Sequence, residues 1–93
     1  MITSKQIYLI VTKGCESCKI MERILKQVCK DNNYTFSIQI ATYESVPDFI
    51  KFNVILTDFP TLVFTYYDII KYHVTGTISA KNLKRIIEDL QFK

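Results

Sequence analysis

Apolar residues along the first half of the chain are spaced in patterns that predict a strand, a helix and a second strand. Residues 5–11 form a nearly continuous apolar run, which is typical of a central strand buried on both faces. From residue 16 to residue 30, apolar positions recur at the spacing of one helix face, and the asparagines in 31–33 suit its end. Residues 34–40 alternate apolar and polar side chains, which predicts a strand with one buried face. Strand, helix and strand in this order predict a right-handed unit with parallel strands.

The second half of the chain predicts a short helix, a hairpin and a last helix. Pro47 suits the first turn of the short helix, and Asn53 suits its end. Strands at about residues 62–66 and 69–74 are separated by a tight turn, so they should pair as an antiparallel hairpin. Ser79 can cap the last helix. The order βαβ-α-ββ-α predicts an α/β fold, in which a four-stranded mixed sheet carries helices on both faces.

Length, composition and charge narrow the class of protein. The 93 residues, 48% of them hydrophobic, are enough for one core, so we expect a single domain over residues 1–93. The net charge of +3 comes from scattered basic residues and gives no case for nucleic-acid binding. No stretch approaches the roughly 18 apolar residues of a membrane span, and the first six residues do not resemble a signal peptide. We therefore expect a cytoplasmic monomer that binds neither nucleic acid nor membrane.

A Cys-x-x-Cys pair, Cys15 and Cys18, lies at the junction of the first strand and the first helix. One helical turn brings two such sulfurs close enough to bond. The free N–H groups and the dipole at a helix start favour the thiolate, which is the nucleophile in disulfide exchange. Gly14 allows a tight approach of the chain to the first cysteine. In a cytosolic protein such a pair is more often transient and catalytic than structural.

Charged side chains flank this pair with opposing effects. Lys13 and Lys19 would stabilise the thiolate of Cys15, whereas the carboxylate of Glu16 would destabilise it. The sequence leaves open whether the net effect raises or lowers the pKa of the Cys15 thiol.

The third cysteine, Cys29, falls in the first predicted helix. We interpret it as a small buried apolar residue. A zinc ion takes four ligands, and besides the pair only Cys29 and His73 are soft candidates. Neither is expected beside the pair, so a metal site would need a second chain. We therefore predict no metal ion and no cofactor.

Three segments of the chain resemble the thioredoxin-fold superfamily, and they follow the order and spacing of that fold. They are the Cys-x-x-Cys pair at the start of a helix, the segment Phe59-Pro60-Thr61 before the third strand, and Gly76 ahead of a capped last helix. The likeness spans nearly the whole chain. It implies a thioredoxin fold and a small protein similar to thioredoxins and glutaredoxins.

The resemblance also implies a substrate-binding surface. The segment around Pro60 looks like the cis-proline segment of the family, although the residues alone leave a simple loop proline open. Beside a cis Pro60, backbone groups of Phe59 would pair with an extended substrate peptide, and the bulky Phe59 ring would narrow the set of targets. Gly14 and Thr61 complete the expected substrate-binding residues, although Thr61 is more simply the start of a strand.

The chain departs from the thioredoxin and glutaredoxin patterns at several positions. Glu16 and Ser17 stand between the cysteines, where thioredoxins carry Gly-Pro and glutaredoxins commonly carry Pro-Tyr. The strand at 7–11 contains no acid, so no proton acceptor for the inner cysteine is identified. Gly76 is followed by Thr77, whereas glutaredoxins usually carry Gly-Gly to hold glutathione. The sequence therefore leaves the subtype open.

The resemblance implies a thiol–disulfide oxidoreductase with Cys15 and Cys18 as its catalytic residues. Cys15, at the outer end of the helix, would attack a target disulfide, and Cys18 would resolve the mixed disulfide. The partners would be disulfide-containing proteins and a dithiol electron donor, either thioredoxin reductase or glutathione. The alternative is a thioredoxin-fold binding module whose cysteines are structural or hold a metal, including a cluster of the glutaredoxin type.

Overall fold

The computed structural model describes residues 5–91, and their order of elements confirms the predicted βαβ-α-ββ-α arrangement. Residues 1–4, which bear on the expectation about a signal peptide, and residues 92–93 lie outside this range. The elements are β1 (Lys5–Val11), α1 (Glu16–Asn32), β2 (Ser37–Thr42), α2 (Asp48–Lys51), β3 (Thr61–Tyr66), β4 (Ile69–Thr75) and α3 (Ala80–Asp89). No helix within 5–91 is both long enough and apolar enough to span a membrane.

The four strands form one mixed sheet in the order β2-β1-β3-β4. The central strand β1 runs parallel to β2 and antiparallel to β3, and β3 and β4 form the predicted antiparallel hairpin. Ile7 and Leu9 point to one face of the sheet, whereas Tyr8 and Ile10 point to the other, and all four are buried. This confirms that the apolar run of β1 belongs to a strand covered on both faces.

The two faces of the sheet have separate hydrophobic cores, and each is covered by helices. Helices α1 and α3 cover the face of Leu9, where Met21, Leu25, Leu83 and Ile87 are fully buried. Helix α2 and its flanking residues cover the face of Ile10, with buried side chains from Val46, Ile50 and Val54. The predicted placement of helices on both faces is therefore confirmed.

Strand register places three loops at one end of the sheet. Ile10 near the end of β1 lies opposite Thr61, and Thr61 lies opposite Thr75 at the end of β4. Just beyond these residues, the Gly76 N–H donates a 2.7 Å hydrogen bond to the carbonyl of Pro60. The loop after β1, which leads to the cysteine pair, therefore leaves the sheet at the same end as the loops before β3 and after β4.

The start of β2 was predicted too early: the strand spans Ser37–Thr42 instead of 34–40. The preceding residues belong to the end of α1. Asn33 adopts the left-handed conformation with φ of 55°, and the N–H of Tyr34 donates to the carbonyl of Cys29 at 3.1 Å. Because that N–H closes the helix end, Tyr34 has no N–H free for the sheet.

The prediction that one face of β2 is buried is also only partly correct. Phe36, just before the strand, is buried, and Ile38 is partly buried against the same core. Ile40, however, is 46% exposed. Because β2 is an edge strand, its face has a neighbouring strand on one side only.

Capping residues define the remaining helix ends largely as predicted. Pro47 precedes α2, which is a single turn and ends earlier than the predicted Asn53. The side chain of Asn53 donates to the carbonyl of Phe49 at 2.6 Å and so still takes part in closing this turn. Ser79 caps α3, because its Oγ accepts a 3.2 Å hydrogen bond from the N–H of Asn82.

Two isoleucines offer a test of the core on the α2 face. Ile10 is 0% exposed and Ile55 is 79% exposed. We expect Ile10→Ala to lower the free energy of unfolding by about 2–5 kcal/mol, because it removes buried methyl groups and leaves a cavity. Ile55→Ala, the matched control, should change it by no more than about 0.5 kcal/mol. Denaturant unfolding of the two variants measures this, and equal losses would contradict the described packing.

Candidate active site

The cysteine pair is positioned by the turn that joins β1 to α1. Gly14 has a φ of 75°, a left-handed conformation that other residues rarely adopt, and it directs the chain into the helix. Cys15 follows as the N-cap of α1, with the extended backbone typical of that position. Cys18 lies one turn further into the helix.

Cys15 and Cys18 are joined by a disulfide, with their Cα atoms 5.2 Å apart. The two cysteines differ in exposure. Cys18 is 4% exposed and packs into the interior, whereas Cys15 is half-buried. An approaching molecule therefore meets the sulfur of Cys15 first.

The first turn of α1 supplies a hydrogen-bond donor to the outer sulfur. The backbone N–H of Cys18 donates to the Sγ of Cys15 at 3.1 Å, so the sulfur fills the role that a Ser or Asp oxygen has at most helix starts. This donor and the helix dipole both favour negative charge on Cys15. By contrast, Lys19 and Glu16 form a 3.8 Å ion pair with each other, and both side chains are mostly exposed. Their opposing effects are therefore largely screened by solvent.

A small open cavity of about 170 Å³ lies beside the disulfide. Its lining residues are Val11, Thr12, Gly14, Cys15, Cys18, Lys19 and Glu22. Sequence reasoning did not single out Glu22, although it lies four residues after Cys18 and therefore on the same side of the helix. Its carboxylate pairs with Lys26 at 2.8 Å.

The Phe59–Pro60 peptide bond is cis, as the resemblance implied. Pro60 is buried, and Thr61 begins β3 with a fully buried side chain. The Oγ1 of Thr61 donates to the carbonyl of Asp58 at 2.7 Å. The ring of Phe59 is partly buried against the core on the α2 face. Substrate-binding roles for Gly14, Phe59, Pro60 and Thr61 stay predictions.

Solved structures with similar folds cover nearly the whole chain. Oxidised mitochondrial thioredoxin 3 from Saccharomyces cerevisiae superposes with a TM-score of 0.72 and 19% sequence identity, over 94% of this chain and 79% of that chain. This chain has the thioredoxin fold. A second structure comes from work on the thiol resolving mechanism of yeast mitochondrial 1-Cys peroxiredoxin via glutathione/thioredoxin systems. It superposes with a TM-score of 0.71 and 18% identity, over 94% of this chain and 79% of that chain.

These identities show a shared fold and nothing finer. The sequence matches no protein-family model and no curated protein. A thioredoxin fold with a Cys-x-x-Cys pair at bonding distance nevertheless supports a redox role in general.

Two kinds of group could assist the pair, namely a buried acid and a bound metal ion. Among residues 5–91, the buried polar side chains are those of Thr61 and Thr65, so that range holds no buried acid beside Cys18. Within the same range, no three side chains of His, Cys, Asp or Glu come together as a metal site would require.

Cys29 packs against the core between the sheet and helices α1 and α3, in agreement with its interpretation as a small apolar residue. Burial raises the pKa of its thiol from the usual 9.0 to about 11. At neutral pH this thiol therefore stays protonated and is a poor nucleophile.

Thiol labelling should separate Cys29 from the pair. In the reduced native protein near pH 7.5, we expect iodoacetamide to modify Cys15 first and to modify Cys29 far more slowly than in the unfolded chain. The shift of about two pKa units lowers the thiolate fraction of Cys29 about 100-fold. Peptide mass spectrometry at successive times measures both rates in one sample. Labelling of native Cys29 at the rate of the denatured chain would contradict its burial.

The same thiol should make the stability depend on pH in a defined window. Below pH 9 both the folded and the unfolded chain keep the proton of Cys29, so its contribution to stability is fully present. Between pH 9 and about 11 only the unfolded chain loses the proton, so the free energy of unfolding falls as the pH rises.

A Cys29→Ala variant tests this contribution. Burial raises the pKa of Tyr8 in both proteins, so its effect cancels in the difference. The pKa of Tyr34 is raised by burial, by Glu88 and in part by Cys29, and only that last part belongs to the difference. The difference in unfolding free energy between wild type and variant should be constant from pH 6 to pH 8 and should decrease above pH 9. Denaturant titrations at each pH measure it, and a difference that does not change up to pH 11 would contradict the raised pKa.

Proposed function

We propose that this protein is a thiol–disulfide oxidoreductase that reduces or exchanges protein disulfides through Cys15 and Cys18. The observation that carries the proposal is the placement of the pair at the start of α1, with the outer sulfur half-exposed and the inner one buried. Reactive cysteines typically combine partial exposure with a place at a helix N-terminus, and Cys15 has both.

The proposed reaction begins with the reduced pair. The thiolate of Cys15 attacks one sulfur of a target disulfide, the target S–S bond breaks, and the other target sulfur leaves as a thiolate. Cys18 then loses its proton and attacks the Sγ of Cys15 within the mixed disulfide. A Cys15–Cys18 bond forms and the second target sulfur leaves. Two electrons have passed to the target, and an external dithiol, or two molecules of a monothiol such as glutathione, must return them.

The end of the sheet is suited to receive the target. The loops before β3 and after β4 lie at the same end as the turn that carries Cys15, and the hydrogen bond between Gly76 and Pro60 joins these two loops. In our proposal an extended target segment pairs with the backbone beside Pro60 while its sulfur reaches Cys15. The small cavity next to the disulfide leaves space for groups that flank the target sulfur.

Substitution of each cysteine tests the proposal. We expect Cys15→Ser to reduce the rate of disulfide reduction to that of the uncatalysed reaction, because it removes the nucleophile. Cys18→Ser should accumulate mixed disulfides with targets, which non-reducing gels and mass spectrometry detect. Cys29→Ser, the matched control, should keep wild-type turnover because Cys29 packs against the core, eleven residues along α1 from Cys18. The enzyme proposal is wrong if insulin and a small disulfide are reduced equally slowly by wild type, Cys15→Ser and Cys18→Ser. That result would favour the alternative of a thioredoxin-fold binding module.

The same assay can assign the electron donor. One arm supplies glutathione with glutathione reductase, and the other supplies thioredoxin reductase, each with NADPH. Turnover only with glutathione would identify a protein of the glutaredoxin type, and turnover only with thioredoxin reductase would identify one of the thioredoxin type. The residues between the cysteines and after Gly76 leave this choice open.

A further inference from the structure

The side chain of Ser17, between the two cysteines, reaches back to the outer sulfur. Its Oγ lies 3.4 Å from the Sγ of Cys15, and the residue is half-buried in the first turn of α1. The sulfur of a disulfide carries no hydrogen, so the hydroxyl of Ser17 is the donor in this contact. Sulfur accepts hydrogen bonds at longer distances than oxygen does, and 3.4 Å falls within that range.

Two donors therefore converge on Cys15 from the same helical turn. The N–H of Cys18 donates at 3.1 Å and the hydroxyl of Ser17 at 3.4 Å. The charged neighbours act less directly. Lys19 is paired with Glu16, and both side chains are more than two-thirds exposed, at 71% and 83%. A half-buried neutral donor in contact with the sulfur is screened less than these charges.

We propose that Ser17 is a positioning residue that donates a hydrogen bond to the Cys15 thiolate of the reduced protein and so stabilises the reduced pair. The inference rests on the proposed function. A disulfide sulfur is a weak acceptor, whereas a thiolate carries a full negative charge, so the hydrogen bond strengthens when the disulfide is reduced. An external dithiol supplies the two electrons and becomes a disulfide. Of its two protons, one goes to Cys18 and the other to solvent, so Cys15 is left as a thiolate and Cys18 as a thiol.

This hydrogen bond should raise the rate of the first attack by Cys15, but it should also make the pair a weaker reductant at equilibrium. A larger thiolate fraction at neutral pH speeds the first attack, although each stabilised thiolate is a somewhat weaker nucleophile. Stabilising the reduced form also makes the pair more oxidising towards other dithiols. Removal of the hydroxyl should therefore lower the thiolate fraction and shift the exchange equilibrium towards the Cys15–Cys18 disulfide.

The test uses three variants of the full chain that differ in the hydroxyl and in shape. Ser17→Ala removes the hydroxyl, Ser17→Thr keeps it, and Ser17→Val has the shape of threonine without it. In each reduced protein, the rate of iodoacetamide modification of Cys15 is followed from pH 4 to pH 10 by peptide mass spectrometry. The equilibrium with a glutathione buffer is measured in parallel, and circular dichroism checks that α1 is intact.

We expect the midpoint of the Cys15 profile to rise by about one pH unit in the Ala and Val variants, which corresponds to a tenfold lower thiolate fraction below it. The Thr variant should stay near wild type. The glutathione equilibrium should shift towards the disulfide for Ala and Val only. A midpoint that is the same in wild type and Ser17→Ala overturns the inference, as does a Thr variant that behaves like Val.

These readouts also separate the inference from the proposed function. The alkylation profile and the glutathione equilibrium need no protein target, so they report on Ser17 even if the protein reduces none. An unchanged profile in an enzyme with normal turnover would overturn the role of Ser17 and leave the oxidoreductase proposal in place.

Discussion

The burial of β1 on both faces fixes where the cysteine pair stands. Its side chains enter the two cores alternately, so a slip of one residue would exchange the two sets of side chains between two differently shaped cores. Pairing with β2 and β3 on its two edges holds the same register. Cys15 follows the last residue of β1 by four positions, and the turn at Gly14 allows little variation in direction. The position of the outer sulfur is therefore set by packing that lies within the core.

Helix α1 packs against the sheet along one side, whereas its N-terminus lies near the surface. Met21, Leu25 and Val28 hold one side of it against the sheet. In its first turn Glu16 and Lys19 are exposed, and the first N–H groups have no partner within the helix. Most helices satisfy these groups with an oxygen from a capping residue, but here the Sγ of Cys15 is the acceptor. The capping atom and the proposed nucleophile are thus one atom. Negative charge on it serves the helix and the chemistry together, which explains why this location suits a redox pair.

Sequence patterns predicted those parts of the fold that depend on periodicity and on single capping residues. The two-faced burial of β1, the left-handed Asn33 and the cap at Ser79 all follow from local residue types. The start of β2 does not, because alternation continues through Tyr34 and Phe36, whose side chains pack near the core from backbone outside the strand. The isomer at Pro60 and the direction of the Phe59 ring depend on distant packing. The contact of Ser17 with Cys15 and the side of α1 that Glu22 shares with the pair are visible only once the helix start is placed.

The lack of a buried acid raises the question of where the proton of Cys18 goes in the proposed exchange. Residues 5–91 offer no buried carboxylate for it, and Glu22 is already paired with Lys26. The first sulfur that leaves the target is itself a thiolate and therefore a base. It is released beside the pair just before Cys18 must react, so it can accept the proton directly or by way of solvent. The substrate then provides the base, and resolution should depend on how long the first product thiol stays near the site.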